Sequence, residues 1–405
     1  MKRIPLEDCE NALRWHTRFY SKEIRKILKI LASGKDEFGR DVQISFKGSR
    51  VPAPQTDDAK VYFSALAAFN DDHDIVVAKV DKLEELIKLV GHCQVPEDAE
   101  EFVEKLFDYR HFYKGEHPVL CLPKIPKRPR KNSPKKVLMA KITWETNEIS
   151  TGGKGPLNVW NTWRFLRELE SCPDTNVKVC PYCNADRIYS LMIEKNGELV
   201  PSRSALDHYY AKEQYPYLAC SLYNLVPSCT RCNSPFKHTY ENKPSGDRLS
   251  HPYRDDFDSE LRFSWGEQLD DAYENKVRPD SISVKLNPGS KVTDAYDRAV
   301  ESEKIFHLHE VYNQMFADEA CEVAGVFQKI YTSWPDDTLK TLGVDVVGLQ
   351  VSPNPSTEEI SAIRQAVKRL LLRCDFDRSK INSQSLSKFK IDLMEELEKR
   401  TGGTV

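Results

Sequence analysis

The stretch that decides the fold runs from Leu206 to Asn233: LDHYYAKEQYPYLACSLYNLVPSCTRCN. It holds the pair Asp207-His208 and ends on Cys229-Thr-Arg-Cys232, with Asn233 immediately after. A second pair, Cys180-Pro-Tyr-Cys183, lies upstream, with 45 residues between Cys183 and Cys229. A Cys-x-x-Cys knuckle turns two thiolates toward one ion, and two knuckles supply the four sulfurs of a tetrahedral structural Zn²⁺. Four thiolates leave no open coordination position, so such a zinc staples a module and does not act on substrate. The competing interpretation is two unrelated pairs or a redox dithiol. It is disfavoured because both pairs flank the same motif.

Between the knuckles, Asn196-Gly197 marks a two-residue hairpin turn. The strand-like run after it leads to Asp207-His208, and neighbouring strand residues point to opposite faces. A bulge or a strand end must therefore intervene for both to serve one site. Beyond the second knuckle, Ser234 is a candidate N-cap and Pro235 a candidate first helical residue, which puts Asn233 at a helix mouth. The expected order is strand, loop, strand, helix. Asp207-His208 stands on the first strand, Asn224 begins the second and Asn233 opens the helix.

Asp207-His208, Asn224 and Asn233, set between two Cys-x-x-Cys knuckles, resemble the HNH family of ββα-metal (His-Me finger) endonucleases. The wording "CPYCN", "LDHYY", "YPYLACSLYNLVPSC", "CNS" and "HPY" is similar to HNH proteins of prokaryotic anti-phage systems, of the Septu and retron-associated type, which accompany an ABC-type ATPase. The resemblance is specific over about residues 178 to 254. It implies that His208 is the general base that activates a water. It implies that Asp207 and Asn233 ligate one divalent cation, Mg²⁺ or Mn²⁺, and that Asn224 bonds across the loop to orient the base. It also implies a DNA substrate and an ATPase partner.

The chemistry is consistent with those roles. Phosphodiester cleavage needs a base near neutral pH, which imidazole supplies, and a Lewis acid on the leaving oxygen. Oxygen donors suit a hard cation. Arg231 and Lys237 are candidate phosphate contacts. An Asp-His dipeptide alone carries no meaning: Asp72-His73 repeats it without knuckles and is read as a polar turn. His238 is read as a bystander, His251 as a packing or supporting residue, and His307 and His309 as structural. Tyr209, Tyr210, Tyr215, Tyr217 and Tyr223 read as the core of a small module.

Outward from this module, residues 1–118 look mainly helical, with Gly91 stopping the helix of "VDKLEELIKLVGH". Residues 122–136, LPKIPKRPRKNSPKK, carry seven basic residues, no acid and four prolines, so an extended linker or a basic arm on a phosphate backbone is expected. "VLMAKITWE" and "SISVKLN" read as strands, and long helical patterns fill the C-terminal third. The division expected is 1–118 helical, 119–150 basic linker and strand, 151–260 nuclease module and 261–405 mainly helical. The class is α+β, a zinc-stapled ββα-metal module flanked by mainly helical regions.

The chain has 405 residues, 30% of them charged, with a formal net charge of -3. Any nucleic-acid surface must therefore be local. No membrane span or signal-peptide pattern is visible, so the cytoplasm is the expected compartment. Eleven cysteines at such spacings then read as metal ligands and buried thiols, not disulfides. The function expected is a metal-dependent DNA endonuclease. The alternatives are a zinc-stapled nucleic-acid or protein binding module with little catalysis, or an RNA nuclease acting for example on tRNA.

Overall fold

The computed structural model describes residues 2–35, 43–46, 49–52, 56–91, 95–107, 120–124, 138–142, 162–238, 240–244, 248–266, 282–286 and 294–400. Helices dominate, and the five sheets among these residues are all two-stranded and antiparallel.

Near the N-terminus, α1 (Glu10–His16) runs through a π turn (Thr17–Ser21) into α2 (Lys22–Ser33), which Gly34 ends at φ 65°. Strands β1 (Gln43–Phe46) and β2 (Ser49–Pro52) pair before α3 (Asp57–His73), α4 (Val80–Val90) and α5 (Glu97–Leu106). Thr56 caps α3 by accepting from the Ala59 N–H, and Gly91 closes α4 as expected. Asp72-His73 is not a polar turn: it is the last turn of α3, beyond which Asp74 takes φ 52°.

Strands β3 (Leu120–Lys124) and β4 (Leu138–Ile142) pair with Pro123 opposite Met139. The basic stretch therefore begins as a strand, and Pro123 is tolerated because a two-stranded sheet has only edges. The rest of that stretch, 125–136, and both boundaries expected at 118 and 150 lie outside the described residues.

The central module opens with α6 (Thr162–Ser171), then the hairpin β5 (Ser190–Lys195) and β6 (Glu198–Arg203). Asn196 and Gly197 turn it at φ 54° and 78°, the double positive φ of a type I′ turn. Strands β7 (Ala205–His208) and β8 (Leu225–Ser228) pair next, with Asp207 opposite Val226 and His208 opposite Leu225. A short helical segment, Cys232–Phe236, follows β8.

The C-terminal third holds α7 (Phe257–Glu260), the pair β9 (Leu261–Ser264) and β10 (Ser283–Leu286), and six helices. These are α8 (Asp294–Ile305), α9 (Leu308–Met315), α10 (Ala317–Gln328), α11 (Asp336–Asp345), α12 (Thr357–Leu372) and α13 (Ser387–Arg400). Ser356 and Glu359 form a reciprocal capping box at the start of α12.

One continuous cluster of buried side chains runs from Ile4 to Leu397 and draws on all three regions. The expected boundary at 260 does not interrupt it, since α7 passes straight into β9 there. The N-terminal segment packs on the module through backbone bonds from Ile4 N–H to the Pro252 carbonyl (2.7 Å) and from Leu222 N–H to the Val76 carbonyl (2.8 Å). Among the described residues, no helix is long and apolar enough to cross a membrane.

Candidate metal centre and active site

Cys180, Cys183, Cys229 and Cys232 are all buried, and their sulfurs lie within 4.8 Å of one another. Cys183 Sγ and Cys229 Sγ are 3.9 Å apart. A tetrahedron of sulfurs about a zinc at about 2.3 Å has an edge of about 3.8 Å. The donor set and its spacing fit a metal such as zinc, which would act there as a staple. The first knuckle is shaped by its backbone: Cys180 N–H reaches the Asp186 carbonyl at 2.9 Å, and Asn184, at φ 56°, returns its N–H to the Cys180 carbonyl at 2.8 Å. In the second, the Cys232 N–H points at Cys229 Sγ, 3.5 Å away. Hydrogen bonds from Cys180, Cys229 and Cys232 hold the Cys183 thiol well below its ordinary pKa, which favours a thiolate there.

β7 carries Asp207 and His208, whereas Asn224 ends the short helical turn Leu222–Asn224 just before β8 and does not open the strand as expected. His208 ends β7, and no bulge precedes it. Its Nε2 lies 3.0 Å from the Ala219 carbonyl. Because a carbonyl only accepts, Nε2 carries the proton and Nδ1 is the ring's basic nitrogen. Burial pushes the imidazole down to about 4, against the opposing pull of the Ala219 hydrogen bond and Asp207, so the ring is neutral at pH 7. Asn224, fully buried beside β8, binds the intervening loop. Its Oδ1 accepts from Tyr210 N–H (2.7 Å), and its Nδ2 donates to the carbonyls of Tyr210 (3.1 Å) and Leu218 (3.0 Å). Leu218 is next to the residue that holds His208, so Asn224 fixes the loop on which the imidazole rests.

Asp207 faces elsewhere, as strand alternation requires. It is 6% exposed. Its two carboxylate oxygens accept from Lys237 Nζ at 2.8 and 2.7 Å, and Oδ2 also accepts from the Tyr182 hydroxyl at 2.6 Å. Lys237 Nζ donates as well to the His208 carbonyl at 2.6 Å. Lys237 is thus turned inward, with 4% of its side chain exposed, and does not reach out toward a phosphate. The Asp207 carboxylate, expected to share a cation with Asn233, is engaged instead by the Tyr182 hydroxyl and the Lys237 ammonium. An ammonium already neutralises the one carboxylate of the set, so these residues as arranged do not fit a divalent cation.

The helix after the second knuckle also differs from expectation. It begins at Thr230, and Asn233 N–H closes back on the Cys229 carbonyl at 3.0 Å, so Asn233 lies inside the turn and not at its mouth. Pro235 falls within the segment, where its missing N–H breaks the regular ladder, and Lys237 N–H bonds five residues back to Cys232. Arg231 pairs with Asp186 at 3.1 Å beside the cysteine cluster instead of facing outward. His251 is fully buried, its ring 4.1 Å from that of Tyr209, with Nδ1 accepting from Tyr253 N–H at 3.3 Å. His238 is exposed. His307 precedes α9 at φ 48°, and His309 Nε2 pairs with the Asn313 amide at 2.9 Å. The five tyrosines are all buried.

Sequence reasoning missed Tyr182 and the inward role of Lys237. The signals were a tyrosine inside the first knuckle and a lysine four residues after Asn233, one helical turn on. It also missed Asn184, whose Nδ2 donates to the Ile381 carbonyl (2.8 Å) and whose Oδ1 accepts from Lys388 N–H (3.1 Å), docking the start of α13 on the first knuckle. Comparison of the chain with protein-family models, with curated proteins and with solved structures finds no match to any of them.

Proposed function

We propose that this chain is an HNH-type endonuclease that hydrolyses phosphodiester bonds of DNA, with His208 as the general base on a zinc-stapled ββα module. The observation that carries this is the ring of His208, neutral and anchored through Nε2 to the Ala219 carbonyl. That anchor fixes the tautomer in which Nδ1 takes a proton from water. The low pKa makes it a weaker base than a free imidazole, but it is deprotonated and ready at neutral pH. Asn224 serves as a positioning residue through the loop it braces. A metal held by the cysteine cluster would pin the turn that follows the second strand. The role in anti-phage defence and the ABC-type ATPase partner rest on the sequence resemblance alone. The same resemblance supplies Mg²⁺ or Mn²⁺ as cofactor, but the surroundings of Asp207 do not fit it, so no step is routed through such an ion.

The test is cleavage of plasmid DNA and of RNA by the purified chain, alone and with an ABC-type ATPase of the kind that accompanies the HNH proteins it resembles. His208→Ala should abolish cleavage while zinc content and the far-ultraviolet spectrum stay unchanged. Undiminished cleavage by that variant would exclude His208 as the base. Cleavage of RNA only would move the substrate from DNA to RNA. The buried Asp207–Lys237 pair favours a second reading, a zinc-stapled binding module without catalysis. Tight DNA binding with no cutting under any divalent metal would establish that one.

A further inference from the structure

We propose that Lys237 is the resident cation of the Asp207 carboxylate and excludes a divalent metal from it. This rests on the assignment of Asp207 to the active site, and it concerns what occupies that site rather than whether cleavage occurs. Nζ of Lys237 holds both oxygens of Asp207 at 2.8 and 2.7 Å and the His208 carbonyl at 2.6 Å, so all three ammonium protons are directed at acceptors. The Tyr182 hydroxyl takes a further lone pair of Oδ2 at 2.6 Å. Both side chains of the ion pair are almost wholly enclosed, at 4% and 8% exposure. A hard divalent cation would bind a carboxylate oxygen at about 2.0–2.6 Å. At that point it would lie within about 3–4 Å of the ammonium, in a site with little water to screen two like charges. Lysine and metal therefore compete for one carboxylate.

The lysine has the advantage of being part of the chain. The break in the helix at Pro235 leaves Lys237 bonded five residues back to Cys232, a zinc-knuckle residue. Its position is thus tied to the cysteine cluster and does not have to be reached by diffusion.

The experiment uses full-length, zinc-loaded protein and Mn²⁺ as the probe, with binding read by loss of the free-ion electron paramagnetic resonance signal. The proteins are wild type, Lys237→Met, and the double variant Asp207→Asn/Lys237→Met, which carries no buried charge at this point. Wild type should bind Mn²⁺ no more tightly than the double variant. Lys237→Met should gain one site at least tenfold tighter, which the double variant lacks. A wild-type site that the double variant lacks, or no gain in a folded Lys237→Met, overturns the proposal. If Lys237→Met does not fold because it strands the Asp207 charge, wild type against the double variant still decides. The signal is independent of cleavage, so a chain with no nuclease activity could pass this test, and an active one could fail it.

Discussion

Asn224 shows how one side chain can brace a whole loop, here the one on which the proposed base His208 rests. Its amide is fully buried and saturated by three backbone groups of the loop between β7 and β8. Asn224→Ala would leave the Tyr210 N–H and the carbonyls of Tyr210 and Leu218 without these partners, and each unpaired buried group costs about 1–3 kcal/mol. The expected loss, after some relaxation, is about 2–4 kcal/mol in urea unfolding. Cleavage should fall as well in the fraction that stays folded, since the Ala219 carbonyl that holds His208 follows Leu218 directly. A stability change within 0.5 kcal/mol, the range of about that size typical of neutral surface sites, would remove Asn224 from this role. At this scale the sequence was partly legible. Strand alternation foretold that Asp207 and His208 face apart, but it could not foretell what each would face. The partners of Asp207 come from the first knuckle and from beyond the second, and only the closed cluster brings Tyr182 and Lys237 together.

At the scale of elements, local signals were readable wherever backbone chemistry alone settles the matter. Asn196-Gly197 made a type I′ turn because both positions tolerate positive φ. Gly91 closed α4 where the sequence put its stop. The helix after Cys232 was misplaced because its start is set by the sulfur cluster and not by the capping preference of Ser234. The chain turns at Thr230 so that Cys229 and Cys232 face one point, and Asn233 and Pro235 are carried into the turn. This makes the cluster the determinant of the element, and Cys229→Ser tests it. Structural zinc in small modules contributes about 10–16 kcal/mol, which is comparable to the whole stability of about 5–15 kcal/mol of a typical domain. Loss of one ligand should therefore release the metal, measured as zinc per chain by atomic absorption, and unfold the module, measured by near-ultraviolet circular dichroism. A Cys229→Ser chain that stays folded with one zinc would place the metal elsewhere.

At the scale of the whole molecule, the N-terminal region is built into the module, a relation that composition and periodicity did not reveal. Glu84 of α4 is buried among the Tyr210 hydroxyl (2.8 Å), Arg248 (2.8 Å) and Arg254 (2.6 Å). Farther on, the main-chain N–H and carbonyl of Lys2 bond to the Asn382 amide at 3.2 and 2.8 Å, which ties this N-terminal segment to the turn before α13. A pattern search sees the helices on either side but not the single polar atoms that join them, because each partner is more than a hundred residues away. His16 is the joint most open to a direct measurement. At the end of α1 it is fully buried, with Nε2 2.7 Å from the Cys220 carbonyl in the loop that also carries Ala219. Burial pushes its pKa down to about 3, against the pull of that hydrogen bond. The folded chain thus binds this proton less readily than the unfolded one, whose histidine titrates near 6.5. The stability that neutral His16 provides is complete above the unfolded value and is lost as pH falls from about 6.5 toward about 3. Between pH 7 and pH 5 the loss from this residue is about 2 kcal/mol. His16→Gln keeps an N–H for the Cys220 carbonyl but takes up no proton, so its urea midpoint should fall less over that interval, by an amount corresponding to about 2 kcal/mol. Protonation of cysteine ligands and of the buried His251 affects both proteins alike, so the difference between them isolates His16. Equal falls in the two proteins would show that α1 is not held to the module by a neutral imidazole.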